Sequence, residues 1–244
     1  MNYHRLGITA LVLILFLTLI YMIQRLMPDR KLLVDAIQIG FEDKVPSPIT
    51  HGDVSKRQVI FTFDGGEGSQ SAFVVLDILR KHHARGTFFL TGKWVLRNPD
   101  LIRRMQAEGH EIYNHSLTHP HLPFLTDREI ANELGNMDRT LLNLINTSTK
   151  PYFRPPYGDY DERVLFAAAR HGYRAVMWTI DAGDWMESEG FTADAVRARI
   201  YSHIEPGAIV LMHLGDHITG LILDEIFTQI EDLGYKIVSL TQGI

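Results

Sequence analysis

Polar residues of catalytic type stand at the downstream ends of successive apolar, strand-like runs: Asp64, His115 with His119, Arg154, Asp181 and His213. Two imidazoles four residues apart suit one metal ion when the segment turns as a helix-like loop after the strand. Asp64 closes an apolar run and precedes Gly65, Gly66, Glu67 and Gly68. Glycines let the backbone turn sharply, so this carboxylate can be presented at a cavity mouth as a base. The run Arg154, Pro155, Pro156, Tyr157, Gly158 sets an arginine beside a rigid turn, where a restricted backbone can hold a peptide N–H ready for an oxyanion. Asp181 and Asp184 precede Trp185, and His213 closes the run 209–212. A carboxylate paired with a histidine raises its pKa and keeps it protonated, as a general acid must be. Each motif alone has a plain alternative: a chance pair among 12 histidines, or a polar residue in a turn. Their recurrence at strand end after strand end is what points to chemistry.

The elements that would position these residues alternate by type. Runs 59–63, 87–90, 111–114, 152–154, 174–180, 208–212 and 236–240 read as strands. Helical patterns fill the gaps over 69–82, with Phe73, Leu76 and Leu79 facing inward, and near 161–170, 192–200 and 218–232. Asn98 and Pro99 make a cap and first turn for a helix through Met105, which Gly109 stops. Thr126 and Glu129 have capping-box spacing, and Ile130, Leu134, Met137, Leu141 and Ile145 follow at helical intervals. Seven strands with helical crossovers predict a βα barrel or an open parallel sheet. A closed parallel sheet would gather the polar strand ends at one rim, where barrel enzymes keep their chemistry.

Composition narrows the class. The chain has 244 residues, 45% hydrophobic and 22% charged, enough for one well-packed domain and a short appendage. A net charge of -5 offers no broad basic surface for nucleic acid. There is no cysteine, so any metal must be held by histidine, carboxylate or water. The uncharged run 6–23 is long enough to cross a bilayer core of about 30 Å at roughly 1.5 Å per residue. It leads into Gln24, Arg25 and Leu26 rather than small residues, the pattern of an uncleaved anchor. The expected organisation is therefore a membrane anchor over 1–31, a linker over 32–56 with Pro46 and Pro48, and a catalytic domain over 57–244. Part of the linker has the alternative of packing on the domain as a short leading strand.

With these residues in view, 58–241 resembles a polysaccharide deacetylase of the NodB-homology type, carbohydrate esterase family 4. Thr62 to Gly66 resembles the family's first motif, His115 to His119 its H-(S/T)-x-x-H second, and Arg154 to Gly158 its third. Asp181 to Trp185 resembles its D-x-x-D-W fourth, and Leu211 to His213 its L-x-H fifth. The resemblance implies a distorted (β/α) barrel of about seven parallel strands, here preceded by one N-terminal transmembrane helix. It implies a hydrolase that removes acetyl groups from an N-acetylglucosamine-containing polymer such as peptidoglycan or chitin-like oligomers. By the same resemblance His115 and His119 bind a divalent metal, zinc by expectation, and Asp64 is the general base. His213 is the general acid supported by Asp181, Arg154 holds Asp64, and the Tyr157 N–H stabilises the oxyanion. Trp185 and Leu211 line the pocket for the acetyl methyl. The implied partners are the glycan and, through the anchor, a membrane, with the catalytic domain extracytoplasmic; protein partners stay unknown.

One position departs from the pattern. The family's first motif usually carries two adjacent acids, the second a metal ligand, and here that place is Gly65. Glu67, Asp64 or His121 can each supply the missing atom. The alternative function is a catalytically inactive, membrane-tethered glycan-binding module. Against it stands the joint presence of Asp64, Arg154, Asp181 and His213.

Overall fold

A computed structural model describes residues 45–244. The run 6–23, with the expected anchor and most of the expected linker, lies outside the described residues. Among the described residues no helix is long and apolar enough to cross a membrane.

The parity of the strands explains the architecture. In β1 (Gln58–Gly65), Val59, Phe61 and Phe63 face the helices, while Ile60 joins a second apolar cluster inside the curl of the sheet. Strand β7 (Ala208–His213) repeats the scheme: Ala208, Val210 and Met212 face out, and Ile209 faces in. Successive side chains alternate between faces, so the inward positions above Ile60 and Ile209 are Thr62, Asp64, Leu211 and His213. The interior is thus apolar at the bottom and turns polar at the C-terminal rim. Asp64 and His213 stand opposite each other in the parallel register of β1 and β7. Both strands are buried on two sides and read as near-continuous apolar runs, as covered parallel strands do.

The other strands are β2 (Thr87–Leu90), β3 (Glu111–Asn114), β4 (Tyr152–Phe153), β5 (Arg174–Ala175), β6 (Ile180–Asp181) and β8 (Lys236–Val238). All pair in parallel, in the order β5-β4-β3-β2-β1-β7-β6, with β8 also on β1. The sheet is therefore a curled, incomplete barrel. The expected single strand over 174–180 is divided, and its halves stand at opposite ends of the sheet. Only 176–179 join them, so at full stretch the two edges are at most about 18 Å apart. That segment is held on both sides. Met177 donates to the Ile49 carbonyl and Thr179 to the Ile209 carbonyl, while Ile49 donates to the Ala175 carbonyl. Residues 45–56, expected as the end of a linker, thus begin the domain, and Ile49 is buried in the inner cluster.

Eight helices among the described residues cover the outside. Helix α1 (Ala72–Lys81) buries Ala72, Val75, Leu76 and Leu79. Phe73, expected to face inward, is exposed, because the helix begins at Ala72 and its 72/75/76/79 stripe leaves 73 about 100° away. Helix α2 (Gly92–Arg97) is capped by Thr91 and buries Trp94 and Val95. Asn98 precedes α3 (Pro99–Ala107) but makes no side-chain cap bond; its amide donates to the Trp94 carbonyl instead. Helix α4 (Asp127–Ile145) has the Thr126/Glu129 capping box and buries Ile130, Leu134, Met137 and Leu141. Helices α5 (Glu162–Arg170), α6 (Ala193–His203), α7 (His217–Asp232) and the short α8 (Leu240–Gly243) complete the layer.

Candidate active site

A cavity of about 590 Å³ opens at the C-terminal rim of the sheet. Asp64, His115, His119, Tyr157, Asp181, Trp185, Leu211 and His213 all line it. Arg154 does not; it lies fully buried behind Asp64.

Arg154 is the fixed point of the base. Its Nη1 donates to Asp64 Oδ1 at 2.6 Å, its Nη2 to the Met177 carbonyl and its Nε to the Val176 carbonyl. The guanidinium also lies over the Phe89 ring, 4.2 Å from its centroid. Burial opposes the charge on Asp64, yet Arg154, His115 and His213 outweigh it and hold the carboxyl below its ordinary pKa. A buried carboxylate with a bonded cation stays ionised, so Asp64 is ready to receive a proton.

The two histidines converge through a loop and not through the helix-like turn their spacing suggests. His115 follows β3, and Ser116 and His119 both adopt positive φ. Glu133 of α4 clamps the loop by accepting from the Leu117 and Thr118 amides and the Thr118 hydroxyl. Asn114 accepts from the Ser116 amide while its own amide donates to the Leu134 carbonyl. His115 Nδ1 donates to the Arg154 carbonyl at 2.9 Å, which leaves Nε2 as the lone-pair nitrogen. That Nε2 lies 3.2 Å from His119 Nε2 and 3.5 Å from Asp64 Oδ2.

These donors fit a divalent cation. Two nitrogens each about 2.0–2.1 Å from zinc at a tetrahedral angle stand about 3.3 Å apart, close to the observed spacing. Both imidazoles favour the neutral, ligating form: burial lowers the His115 pKa, and burial together with His115 pushes that of His119 down to about 4. Position 65 adds nothing to the set. It shares the outward parity of Phe63, and a Cβ there would stand 2.6 Å from Leu90 Cδ2 and 3.2 Å from the Trp94 ring. Of the three candidates for a further donor, Asp64 is beside the pair and Glu67 lines the cavity. His121 instead bonds Asp159 through Nδ1 at 3.0 Å.

His213 is held from behind by a carboxylate, and the partner is Asp184, not Asp181. Asp184 is fully buried; its Oδ1 accepts from His213 Nδ1 at 3.0 Å, and its Oδ2 accepts from the His213 amide and the Thr219 hydroxyl. Burial works against the imidazolium, but Asp184, with Asp64 and Asp216, raises the His213 pKa to about 9. Asp181, which ends β6, accepts from the Gly183 amide and from Trp185 Nε1. The swap follows from the turn: Gly183 at φ +77 reverses the chain after Ala182 and swings Asp184 under His213. Asp184, His213 and Asp216 offer ligand atoms within 4.8 Å of one another. Because both oxygens of Asp184 are already filled by N–H and O–H donors, this group is a support for His213 and not a second cation site.

Tyr157 sits at φ 61 between Pro156 and Gly158. The Gly158 and Asp159 amides donate back to Pro155 and Pro156, and the Tyr157 amide comes ahead of them in the turn, where N–H groups have no partner within the turn. Gly158 is required, since a Cβ there would meet Trp178 at 2.7 Å and φ is +67. Asp216, Glu133 and Trp178 were not legible as site residues. Each belongs to an element whose sequence shows only an ordinary acid or aromatic.

Comparison with known proteins agrees with this geometry. Residues 51–176 match the polysaccharide deacetylase family. A chitooligosaccharide deacetylase of Bradyrhizobium sp. (strain ANU 289) is 39% identical over 166 residues, which is 68% of this chain and 74% of that protein. The solved structure of Bacillus subtilis PdaA, a family 4 carbohydrate esterase, superposes with a TM-score of 0.76 at 33% identity, covering 80% of this chain and 83% of that one. A carbohydrate esterase family 4 pseudoenzyme from Bacillus anthracis gives a TM-score of 0.76 at 33% identity, covering 82% and 70%. The chain belongs to the polysaccharide deacetylase family, carbohydrate esterase family 4.

Proposed function

We propose that this protein hydrolyses the N-acetyl groups of an N-acetylglucosamine-containing glycan. The observation that carries the reading is a pair of opposed proton carriers on one cavity wall: Asp64, ionised against Arg154, and His213, protonated against Asp184. Asp64 takes the proton of the attacking water. The Tyr157 N–H donates to the acetamide oxygen as it gains charge, and Leu211 and Trp185 border the cavity where the methyl group would sit. His213, its Nδ1 committed to Asp184, has Nε2 to give a proton to the departing nitrogen. A divalent cation held by His115 and His119 would supply Lewis-acid polarisation of the carbonyl and acidify a water.

Charge around the cavity favours a neutral sugar. Asp64, Glu67, Asp181 and Asp216 line it, while no lysine or arginine does. A free carboxylate, such as the lactyl group of N-acetylmuramic acid, would meet like charge there, while the positive charge in the cavity, on His213 and on a cation held by His115 and His119, is committed to the acetamide. Acetate release from N-acetylglucosamine oligomers should therefore exceed release from glycan strands whose only remaining N-acetyl groups are on N-acetylmuramic acid. A preference for the muramic acid units would overturn this choice of substrate. We also propose that the run 6–23 anchors the domain on the extracytoplasmic side of a membrane, where such polymers lie. A compartment-sensitive reporter fused after Ile244 that is active only in the cytoplasm would refute that placement.

A second reading has one observation behind it. Gly65 leaves the first motif one carboxylate short, and three similar structures, all of one protein, are called those of a pseudoenzyme. It predicts glycan binding with no acetate released.

A further inference from the structure

Outside the cavity, on the side of the 116–125 and 155–160 loops, aromatic rings continue the wall outward. Tyr157 lines the cavity and stands edge-to-face with His119, centroids 4.4 Å apart. On its outer side Tyr157 stacks on His121 at 4.0 Å and 12°. Phe124 follows, 5.7 Å from His121. The file is built rather than loose. Asp159 fixes the His121 ring, and Phe124 ends a short turn rooted by the buried Leu122 and stiffened by Pro123. Yet Phe124 is 84% exposed and Tyr157 60% exposed. Neither ring is needed to fill the core, and Tyr157 holds its place at a positive φ uncommon for a residue with a side chain.

We propose that Tyr157, His121 and Phe124 form a sugar-binding subsite that holds the glycan chain beyond the unit in the cavity. This rests on the reading of the cavity as a site for one N-acetylated sugar. The argument is continuity: the ring that borders the reacting unit is the first of the file, so a chain leaving the cavity on this side passes over the next two. A pyranose presents C–H bonds on its faces and hydroxyls at its edge. The C–H bonds suit the electron-rich face of an aromatic ring. Tyr157 and His121 cover each other's facing sides, so the face most open to a sugar is that of Phe124, tilted 51° from His121. The half-exposed Asp159 carboxylate is an acceptor for a hydroxyl at the edge. The subsite makes this a protein for oligomers and not for single sugars.

The test is a calorimetric titration of the full chain with N-acetylglucosamine oligomers from dimer to hexamer, in chelator so that turnover does not intervene. The wild type should gain affinity with length. Phe124→Ala should lose about three- to tenfold of that gain, the scale of one aromatic contact, with dimer affinity unchanged. His121→Ala should lose it as well. The same thermal unfolding midpoint for Phe124→Ala and wild type would show that the exposed ring plays no part in folding. No gain with length in the wild type, or a gain that survives both substitutions, would overturn the subsite. Acetate assays run in parallel separate the two ideas. Release without a Phe124-dependent length effect leaves the deacetylase and removes the subsite; a Phe124-dependent length effect without release does the reverse.

Discussion

At the scale of single residues, the site depends on two carboxylates with different tasks: Asp64 is placed to receive a proton, and Asp184 holds one on His213. His213 carries the stronger forecast. Its pKa is raised to about 9 mainly through Asp184, against the cost of burial, so its bound proton stabilises the fold fully below about pH 6.5, and that contribution is lost as pH rises through about 9. Asp184→Asn should move the basic limb of the activity profile to lower pH, while Asp181→Asn should leave that limb in place. Equal effects of both substitutions would show that the pairing has been misjudged. The sequence displayed both acids beside Trp185 but could not rank them, because the choice rests on a reversal at Gly183 that no spacing rule describes. Gly65 makes a second forecast. Its outward parity puts any added side chain against Leu90 and Trp94, so Gly65→Asp should lower stability by about 1–3 kcal/mol through overpacking, measurable as a fall in the midpoint of denaturant unfolding. An unchanged midpoint would mean that the Trp94 layer yields more readily than its packing implies.

At the scale of elements, the helix Asp127–Ile145 shows what periodicity can and cannot reveal. Its capping box and its apolar stripe were legible, because both are local rules that tertiary packing only had to accept. Glu133 was not, since its partners are amides of a loop more than ten residues upstream. That acid holds the His115–His119 loop in two positive-φ kinks where the four-residue spacing alone suggested a helical turn. Supports of this kind outside the ligand set commonly alter metal affinity by about 10- to 100-fold. Glu133→Ala should weaken zinc binding on that scale in a competition titration, with little change in secondary structure by circular dichroism. Undiminished zinc affinity would detach the loop from its clamp.

At the scale of the whole domain, strand parity turned a list of polar strand ends into one rim. The alternation of side-chain direction along 59–64 and 208–213, hidden in near-continuous apolar runs, explains why Asp64 and His213 face the same cavity. The closure of the sheet was the hidden part. The run 174–180 looks like one strand, but it leaves one edge at Ala175 and joins the other at Ile180. Ile49, from a stretch whose prolines and mixed polarity read as linker, pairs with 175–177 as the chain leaves the first edge, and Thr179 bonds Ile209 as it reaches the second. Since Ile49 is buried and its backbone bonds Ala175 and Met177 where the chain leaves β5, Ile49→Ala should cost about 2–3 kcal/mol. A loss under 1 kcal/mol would make residues 45–56 an attachment and not part of the domain.

The measurement that bears most directly on the account is acetate release from N-acetylglucosamine pentamer by the metal-stripped protein, with and without added zinc, compared with Asp64→Asn. Release that zinc restores, and that falls by about 10²-fold or more in Asp64→Asn, is the predicted result. Zinc that binds while no acetate appears from the wild type would contradict the account and leave a glycan-binding member of the family in its place.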